Sequence, residues 1–233
     1  MGMTAIEKIL ARNGDLKEVR PGDVVTVRVE TSILFDNNLM DSVWREILEV
    51  HDPSKVVVVI DHRAPAAHVL SAKGHKRGRE FVRKFGITRF HDIGREQGIS
   101  HVLVADHGYG LPGTVLLCSD SHTCSAGVFN VAARGVGSPD ITYSICKGET
   151  WFRVGETIRY DLEGTLPPGV FTKDVFLHMA GHYGNHATMN IEFGGPALPS
   201  LSMNARRTLT TMGAELSVEF ATFEPDQIML DYV

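Results

Sequence analysis

The chain is poor in cysteine. Cys118, Cys124 and Cys146 are the only three among 233 residues, and no two form a Cys-x-x-Cys pair. An odd number of thiols in such spacing offers neither a disulfide framework nor a zinc ribbon, so reduced cysteines in the cytoplasm are expected. Long apolar runs are lacking too. The longest, Val56 to Ile60, is strand-sized and far short of the ~20 residues a membrane helix requires. The opening MGMTAIEKILARNGDLKEV carries acidic residues and no long apolar core, so no secretory signal or transit peptide is expected there. Positive charge is not in excess: 23 Lys and Arg face 28 Asp and Glu, for a net charge of −5. The densest basic cluster, Lys73, Lys76, Arg77, Arg79, Arg83 and Lys84, falls at helical spacing and reads as a solvated helix face. Neither a nucleic-acid partner nor a membrane is expected.

What is present is a hydrophobic fraction of 43%, enough for a substantial core in one large or two small domains. The most informative stretch runs from Gly113 to Gly137. Thr114 to Cys118 reads as a buried strand and delivers Ser119-Asp120-Ser121-His122-Thr123 at its carboxyl end without a spacer. Ala126 to Ala133 then suggests a small apolar helix that Ser121 or Thr123 would cap. Strand ends and helix starts converge where open α/β sheets bind ligands.

The remainder follows the same grammar. Residues 4–12 read as an amphipathic helix, Val24 to Val29 as a strand, and Asp41 to Val50 as a helix with Val43, Trp44, Ile47 and Leu48 on one face. Val56 to Ile60 is a second buried strand ending in Asp61-His62, and a helix follows Pro65 as far as about Phe85. Gly86 to Phe90 is a loop, and Gly98-Ile99-Ser100-His101 precedes the apolar run Val102 to Ala105. Ser138-Pro139-Asp140 starts a helix through Cys146. Strands alternating with helices predict a doubly wound, mostly parallel α/β sheet over residues 1–151. Beyond Trp151 the pattern changes to an extended pair, a helix from Thr172, a strand from Met189 and a helical run from Met203 to Leu216. This predicts a second, smaller α/β domain over 152–233, incomplete at its C-terminal end, because Asp231-Tyr232-Val233 brings no closing turn.

Asp61-His62, His101 and Asp120-Ser121-His122 lie at or near predicted strand ends. A carboxylate beside an imidazole fixes its tautomer and raises its pKa, which makes a proton donor near neutral pH. A capped turn with a satisfied histidine is the plainer explanation for any one of these clusters, but three along one sheet edge favour chemistry. Asp61, His62, His68, Asp120 and His122 are also acceptable divalent-metal ligands, although no HExxH or HxH spacing supports a metal hydrolase. Ser121 lacks the elbow motif of a serine nucleophile. His178, His182 and His186 share a face only if their helix continues past Gly181, and His51, His75 and His91 carry no signal. Cys118 reads as core.

With these residues in hand, the chain resembles the N-terminal part of the aconitase superfamily, in the branch of the 3-isopropylmalate dehydratase and homoaconitase large subunits. The motifs are Val58-Val59-Ile60-Asp61-His62 with Pro65-Ala66, Gly98-Ile99-Ser100-His101, and Leu111-Pro112-Gly113 leading to Ser119-Asp120-Ser121-His122-Thr123-Cys124. Phe152-Arg153-Val154, Leu166-Pro167-Pro168-Gly169, Lys173-Asp174-Val175 and Thr211-Met212-Gly213-Ala214-Glu215 continue the similarity through nearly the whole chain. The resemblance implies an iron–sulfur hydro-lyase of amino-acid biosynthesis that moves a hydroxyl between adjacent carbons of a 2-hydroxy dicarboxylic or tricarboxylic acid. 3-Isopropylmalate dehydratase is the first expectation. Homoaconitate, citramalate or dimethylmalate hydro-lyases, or a non-catalytic module of the same fold, are the alternatives.

Carried onto this sequence, the resemblance makes Asp61-His62 the acid pair nearest the departing hydroxyl. Asp120 would orient His101, Glu215 would orient His122, and Ser121 would line the substrate or cluster pocket. It places the general base on a small subunit carrying a swivelling domain. It also implies a [4Fe-4S] cluster whose thiolates, from a Cys-Thr-Asn motif and a later CxxC, are not among Cys118, Cys124 and Cys146, so this chain alone is expected to be inactive. Thr211 stands where relatives often carry Asn.

Overall fold

A computed structural model describes residues 2–233. Helix α1 (Ala5–Asn13) is closed by a capping box in which the Glu7 amide donates to Thr4 Oγ1 and the Thr4 amide donates to the Glu7 carboxylate. There follow β1 (Val24–Arg28), β2 (Thr31–Phe35), β3 (Val56–Val59), α2 (Val69–Phe85), β4 (Arg89–His91), α3 (Ser100–Asp106), β5 (Val115–Cys118) and β6 (Ala132–Gly135). The C-terminal portion contributes α4 (Ser138–Lys147), β7 (Glu149–Arg153), β8 (Thr157–Asp161), α5 (Thr172–Tyr183), β9 (Asn190–Gly194), α6 (Met203–Met212), β10 (Ala221–Phe223) and α7 (Gln227–Tyr232).

Five strands in the order β4-β3-β2-β5-β6 form a parallel sheet. Successive side chains of a strand point to opposite faces, and here both faces are buried. Ile33, Phe35, Val57, Val59, Leu116 and Cys118 join one apolar cluster, whereas Leu34, Val56, Val58, Val115 and Leu117 join the other. Burial on both sides is why β3 and β5 read as uninterrupted apolar runs. From β2 the sheet grows outward through β3 and β4, then resumes on the opposite side with β5 and β6. The carboxyl ends of β2, β3 and β5 therefore flank the point where the winding reverses, which is where doubly wound sheets open a crevice.

Strands β10, β9 and β8 make a second parallel sheet. Its residues Ile191, Phe193 and Phe223, with Phe176 of α5 and Leu209 of α6, share the apolar cluster of one face of the first sheet. A separate antiparallel ribbon of β1 and β7 pairs Val25 with Phe152, and both side chains join the apolar cluster on the other face of the first sheet. Among the described residues no helix is long and apolar enough to cross a membrane.

Three local expectations are corrected. Residues 126–133 are not one helix. Tight 3-10 turns run from Ser121 to Phe129 behind an Asp120 cap, Asn130 ends them in the left-handed region at φ 55°, and Ala132 onward is strand β6. Gly127 explains the tight path, because a Cβ there would lie 1.8 Å from the Ala221 carbonyl oxygen. Residues 41–50 form no helix either. Trp44 packs edge-on against Phe81 and the His51 amide donates to the Ile145 carbonyl, so separate tertiary anchors win over helical periodicity. Strand β2 lies in a stretch to which the sequence pattern assigns no element, and its first two residues, Thr31 and Ser32, are polar. Their hydroxyls are spent on the Tyr109 carbonyl and on Ser144 Oγ, which lets both be buried. Strand β4, partly inside the expected loop 86–90, and β10 and α7 were likewise unforeseen.

Candidate active site

Strands β3 and β5 flank β2 in the parallel sheet, so the residues that follow them emerge at the same edge. After β3 come Asp61 and His62, after β5 come Asp120, Ser121 and His122, and α3 opens with Ser100 and His101. Asp61 holds two elements at once: Oδ1 lies 2.7 Å from His62 Nδ1, and Oδ2 accepts the Ser100 amide at 2.8 Å. Asp120 stands at the centre. Its Oδ1 is 2.7 Å from His101 Nε2 and accepts the His122 amide at 2.8 Å, while Oδ2 is 3.2 Å from His62 Nε2. Glu215, which follows α6, brings Oε1 within 3.3 Å of His122 Nε2, and Ser121 Oγ lies 3.3 Å from His122 Nδ1. The structure thus gathers Asp61, His62, His101, Asp120, Ser121, His122 and Glu215 into one cluster.

Both ring nitrogens of His62 face carboxylates, an arrangement complete only when both carry protons. Burial opposes that charge, but the hydrogen bond and charge of Asp61, with those of Asp120, outweigh it and raise the His62 pKa above its ordinary value. For Asp120, burial disfavours the carboxylate, whereas hydrogen bonds from His101 and the His122 amide and the charges of His101 and His62 favour it. The favourable contributions win, and its pKa sits well below the usual carboxylate range. The side chain of Asp120 is 14% exposed and those of His62 and His122 are 35% and 39% exposed. The anion is therefore shielded while the imidazoles remain open to a ligand. Close packing makes this turn possible: a Cβ on Gly135 would lie 2.4 Å from the Asp120 carbonyl oxygen.

Asp36, at the end of β2, was missed by the sequence reading. It is fully buried and accepts the backbone amides of His62 and Arg63, the first at 3.2 Å. Its signal was available, since Ile33-Leu34-Phe35 followed by Asp36 repeats the pattern of an apolar run ending in an acid. Asp36, Asp61 and His62 hold donor atoms within 4.8 Å of one another, but the oxygens and nitrogens concerned are already engaged in the bonds just described. His68, grouped with the metal alternative, is exposed at the start of α2 and has no part in the cluster.

Other histidines go elsewhere. His178 and His182 stack on the exposed face of α5 with ring centroids 6.0 Å apart, and His186 lies beyond that helix, buried, with Nε2 2.6 Å from Tyr160 Oη. His91, which carried no signal, is buried between the Glu96 carbonyl and the Tyr109 hydroxyl. Thr211 donates its hydroxyl to the Arg207 carbonyl, and its own carbonyl accepts from Cys124 Sγ at 3.6 Å.

The thiols do not suit an iron–sulfur cluster. Burial pushes Cys118 and Cys124 up to about 12, and Cys146 on α4 is also raised, chiefly by burial. Among the described residues no group of three converging metal-ligating side chains includes any of these thiols. A recess of about 220 Å³ beside the polar cluster is lined by Ser121, Cys124, Ala214 and Ser217 and bounded by the Arg134–Glu219 ion pair. A larger one of about 700 Å³, lined by Pro21, Trp151, Arg153 and Met189 among others, contains none of the cluster residues. The convergence of acids and imidazoles, rather than cavity size, marks the site.

Residues 39–233 match the model of the aconitase family (aconitate hydratase). The chain belongs to the aconitase family. It is 45% identical over 232 residues to the 3-isopropylmalate dehydratase large subunit of Mycolicibacterium smegmatis, a match covering 100% of this chain and 54% of that protein. Similarity extends to large subunit 1 of the same name in Pyrococcus abyssi, 37% identical over 241 residues, and to the large subunit of Aquifex aeolicus, 36% identical over 241 residues. These matches cover 100% of this chain and 56% and 55% of the relatives. The aconitase-family chain thus spans about half the length of the curated relatives it matches. Its matched region holds every cluster residue except Asp36, which lies just ahead of it.

Proposed function

We propose that this chain is the N-terminal part of the large subunit of a hydro-lyase acting on a 2-hydroxy dicarboxylic or tricarboxylic acid, with 3-isopropylmalate as the first candidate substrate. The observation that carries the proposal is the convergence on one depressed carboxylate, Asp120, of the His62 and His101 imidazoles, the His122 backbone amide and, 3.6 Å away, the His122 ring, at the switch point of the sheet. Removal of water from a hydroxy acid needs a proton delivered to the departing hydroxyl. His62, held between Asp61 and Asp120 and favouring its charged form, is suited to supply it. Asp120 orients His101, and Glu215 orients His122 toward the hydroxyl or the water that returns. Ser121 lines the recess beside them.

The cluster surroundings are acidic: Asp36, Asp61, Asp120 and Glu215 accompany the imidazoles. An anionic substrate therefore requires further cationic groups, which fits completion of the site by the rest of the large subunit and a small subunit with a swivelling domain. The same completion would supply the general base. The [4Fe-4S] cluster implied by the resemblance would be held by thiolates other than Cys118, Cys124 and Cys146, and residues 1–233 alone would not turn over.

The test is anaerobic reconstitution of the complete large and small subunits with iron and sulfide, followed by assay of isopropylmalate, homoaconitate, citramalate and dimethylmalate. His122→Ala, with fold and cluster absorbance intact, should lower turnover by about 10²–10⁴-fold, the range of a lost acid–base group. Undiminished turnover would contradict the role given to His122.

A further inference from the structure

Within the proposed hydro-lyase site, one set of contacts has no assigned purpose. The segment that leaves β2, Phe35-Asp36-Asn37, touches the turn after β3 in three different ways. The Phe35 ring lies against the His62 imidazole with centroids 4.4 Å apart. Both Asp36 oxygens accept backbone amides of that turn, from His62 and Arg63, and Asn37 Oδ1 accepts Arg63 Nε at 2.6 Å. A carboxylate with no exposed surface carries a large desolvation cost, which backbone donors reduce when they are fixed in place. Asp36 has one more neighbour, the buried His75 on α2. Its Nε2 lies 3.7 Å from Asp36 Oδ2 and has no hydrogen-bond partner.

We infer that Phe35, Asp36 and Asn37 form a clamp that positions His62, with Asp36 the main positioning residue, so that its imidazole spans Asp61 and Asp120. The physical reason is geometric. Bridging two carboxylates with one flat ring requires the ring plane and the backbone that bears it to be held together. Asp61 and Asp120 act on the ring nitrogens, while the β2 segment acts on the backbone and on the ring face. None of these three residues is a catalytic residue in this scheme, because Asp36 meets the turn from behind, through its amides.

The inference rests on the assignment of His62 to the site, but its test needs no substrate, so its failure and a failure of the hydro-lyase proposal are separable. The charged and titratable groups around His62 are Asp61 and Asp120 at its nitrogens, Asp36 and His75 behind its backbone, Arg63 beside it on Asn37, and His101 and His122 across Asp120. The full 233-residue chain is labelled with ¹⁵N, and the His62 ring signals are followed through a pH titration in the wild type, Asp36→Asn and Phe35→Leu. Both variants should retain native amide spectra and shift the His62 ring nitrogens. The His62 midpoint in Asp36→Asn should fall by about half a pH unit or more as the carboxylate contacts loosen. Phe35→Leu leaves every charge in place, so a response there cannot be a loss of the Asp36 charge, and it remains informative if Asp36→Asn does not fold. Unchanged His62 ring signals in Phe35→Leu would overturn the clamp. A response confined to Asp36→Asn would assign the effect to charge alone and overturn it equally.

Discussion

Two charge networks in this molecule use the same ingredients to different ends. In the C-terminal layer, Arg206 is fully buried. It donates to Asp226 through two nitrogens at 2.8 and 2.6 Å and to the carbonyls of Leu201 and Leu198 at 3.1 and 2.7 Å. Asp226 also accepts the Met229 amide and so caps α7. In the first layer, Asp120 is surrounded by imidazoles. A guanidinium does not change charge near neutral pH, so the Arg206 network is locked. An imidazole does change charge there, and His62 and His122 keep open faces. A shielded carboxylate is structural where its cation is permanent and enclosed. It becomes a candidate for chemistry where its partners can gain and lose protons in reach of a ligand.

This contrast can be broken by exchanging the consequences of mutation. Asp120→Asn in the reconstituted complete enzyme should cut turnover by about 10²–10⁴-fold, since it unsettles several acid–base groups together, while urea denaturation shows a folded protein. Asp226→Ala should do the reverse: leaving the Arg206 cation buried without its anion costs about 3–5 kcal/mol in urea unfolding, and the His62 ring signals should stay as in the wild type. Gly135→Ala combines the two readouts within the Asp120 turn. It forces a methyl group against the Asp120 carbonyl, so a loss of about 1–3 kcal/mol is expected, with a disturbed His62 signal.

The pH dependence sharpens the same difference. Because folding raises the His62 pKa, its contribution to stability is fully present below about 6.5 and is lost as pH rises through the folded midpoint. Asp120 acts oppositely, contributing above about 3.9 and losing that contribution as pH falls toward its depressed pKa. Urea unfolding of wild type and Asp61→Asn across pH should therefore differ most on the acidic side of the His62 midpoint and converge above it. Lys76→Ala, which removes a loose, exposed contact to Glu80 four residues on, should change stability by no more than about 0.5 kcal/mol.

The parts of this site that could be read in advance are those whose strands are buried on both faces. Val56 to Ile60 and Val115 to Cys118 have no polar interruption, so the acids and histidines that follow them stand out. Strand β2 hid because Thr31 and Ser32 bury their hydroxyls against Tyr109 and Ser144, contacts no local pattern reveals, and Asp36 hid with it. The helix expected over 126–133 failed for a related reason. Its composition is helical, but the second layer brings Ala221 against Gly127, and Asn130 then ends the turns in the left-handed region. The pairing of Glu215 with His122 spans 93 residues and was legible only through the family resemblance.

The central claim is that His62, His101 and His122 form one unit around Asp120. Imidazole ¹⁵N spectra of the wild-type chain and Asp120→Asn, recorded at a pH where the fold is intact, address it directly. The account predicts that the ring signals of all three histidines move together in the variant while those of His178 and His182 on α5 remain in place. A change at one imidazole alone, or at none, in a folded variant would contradict it.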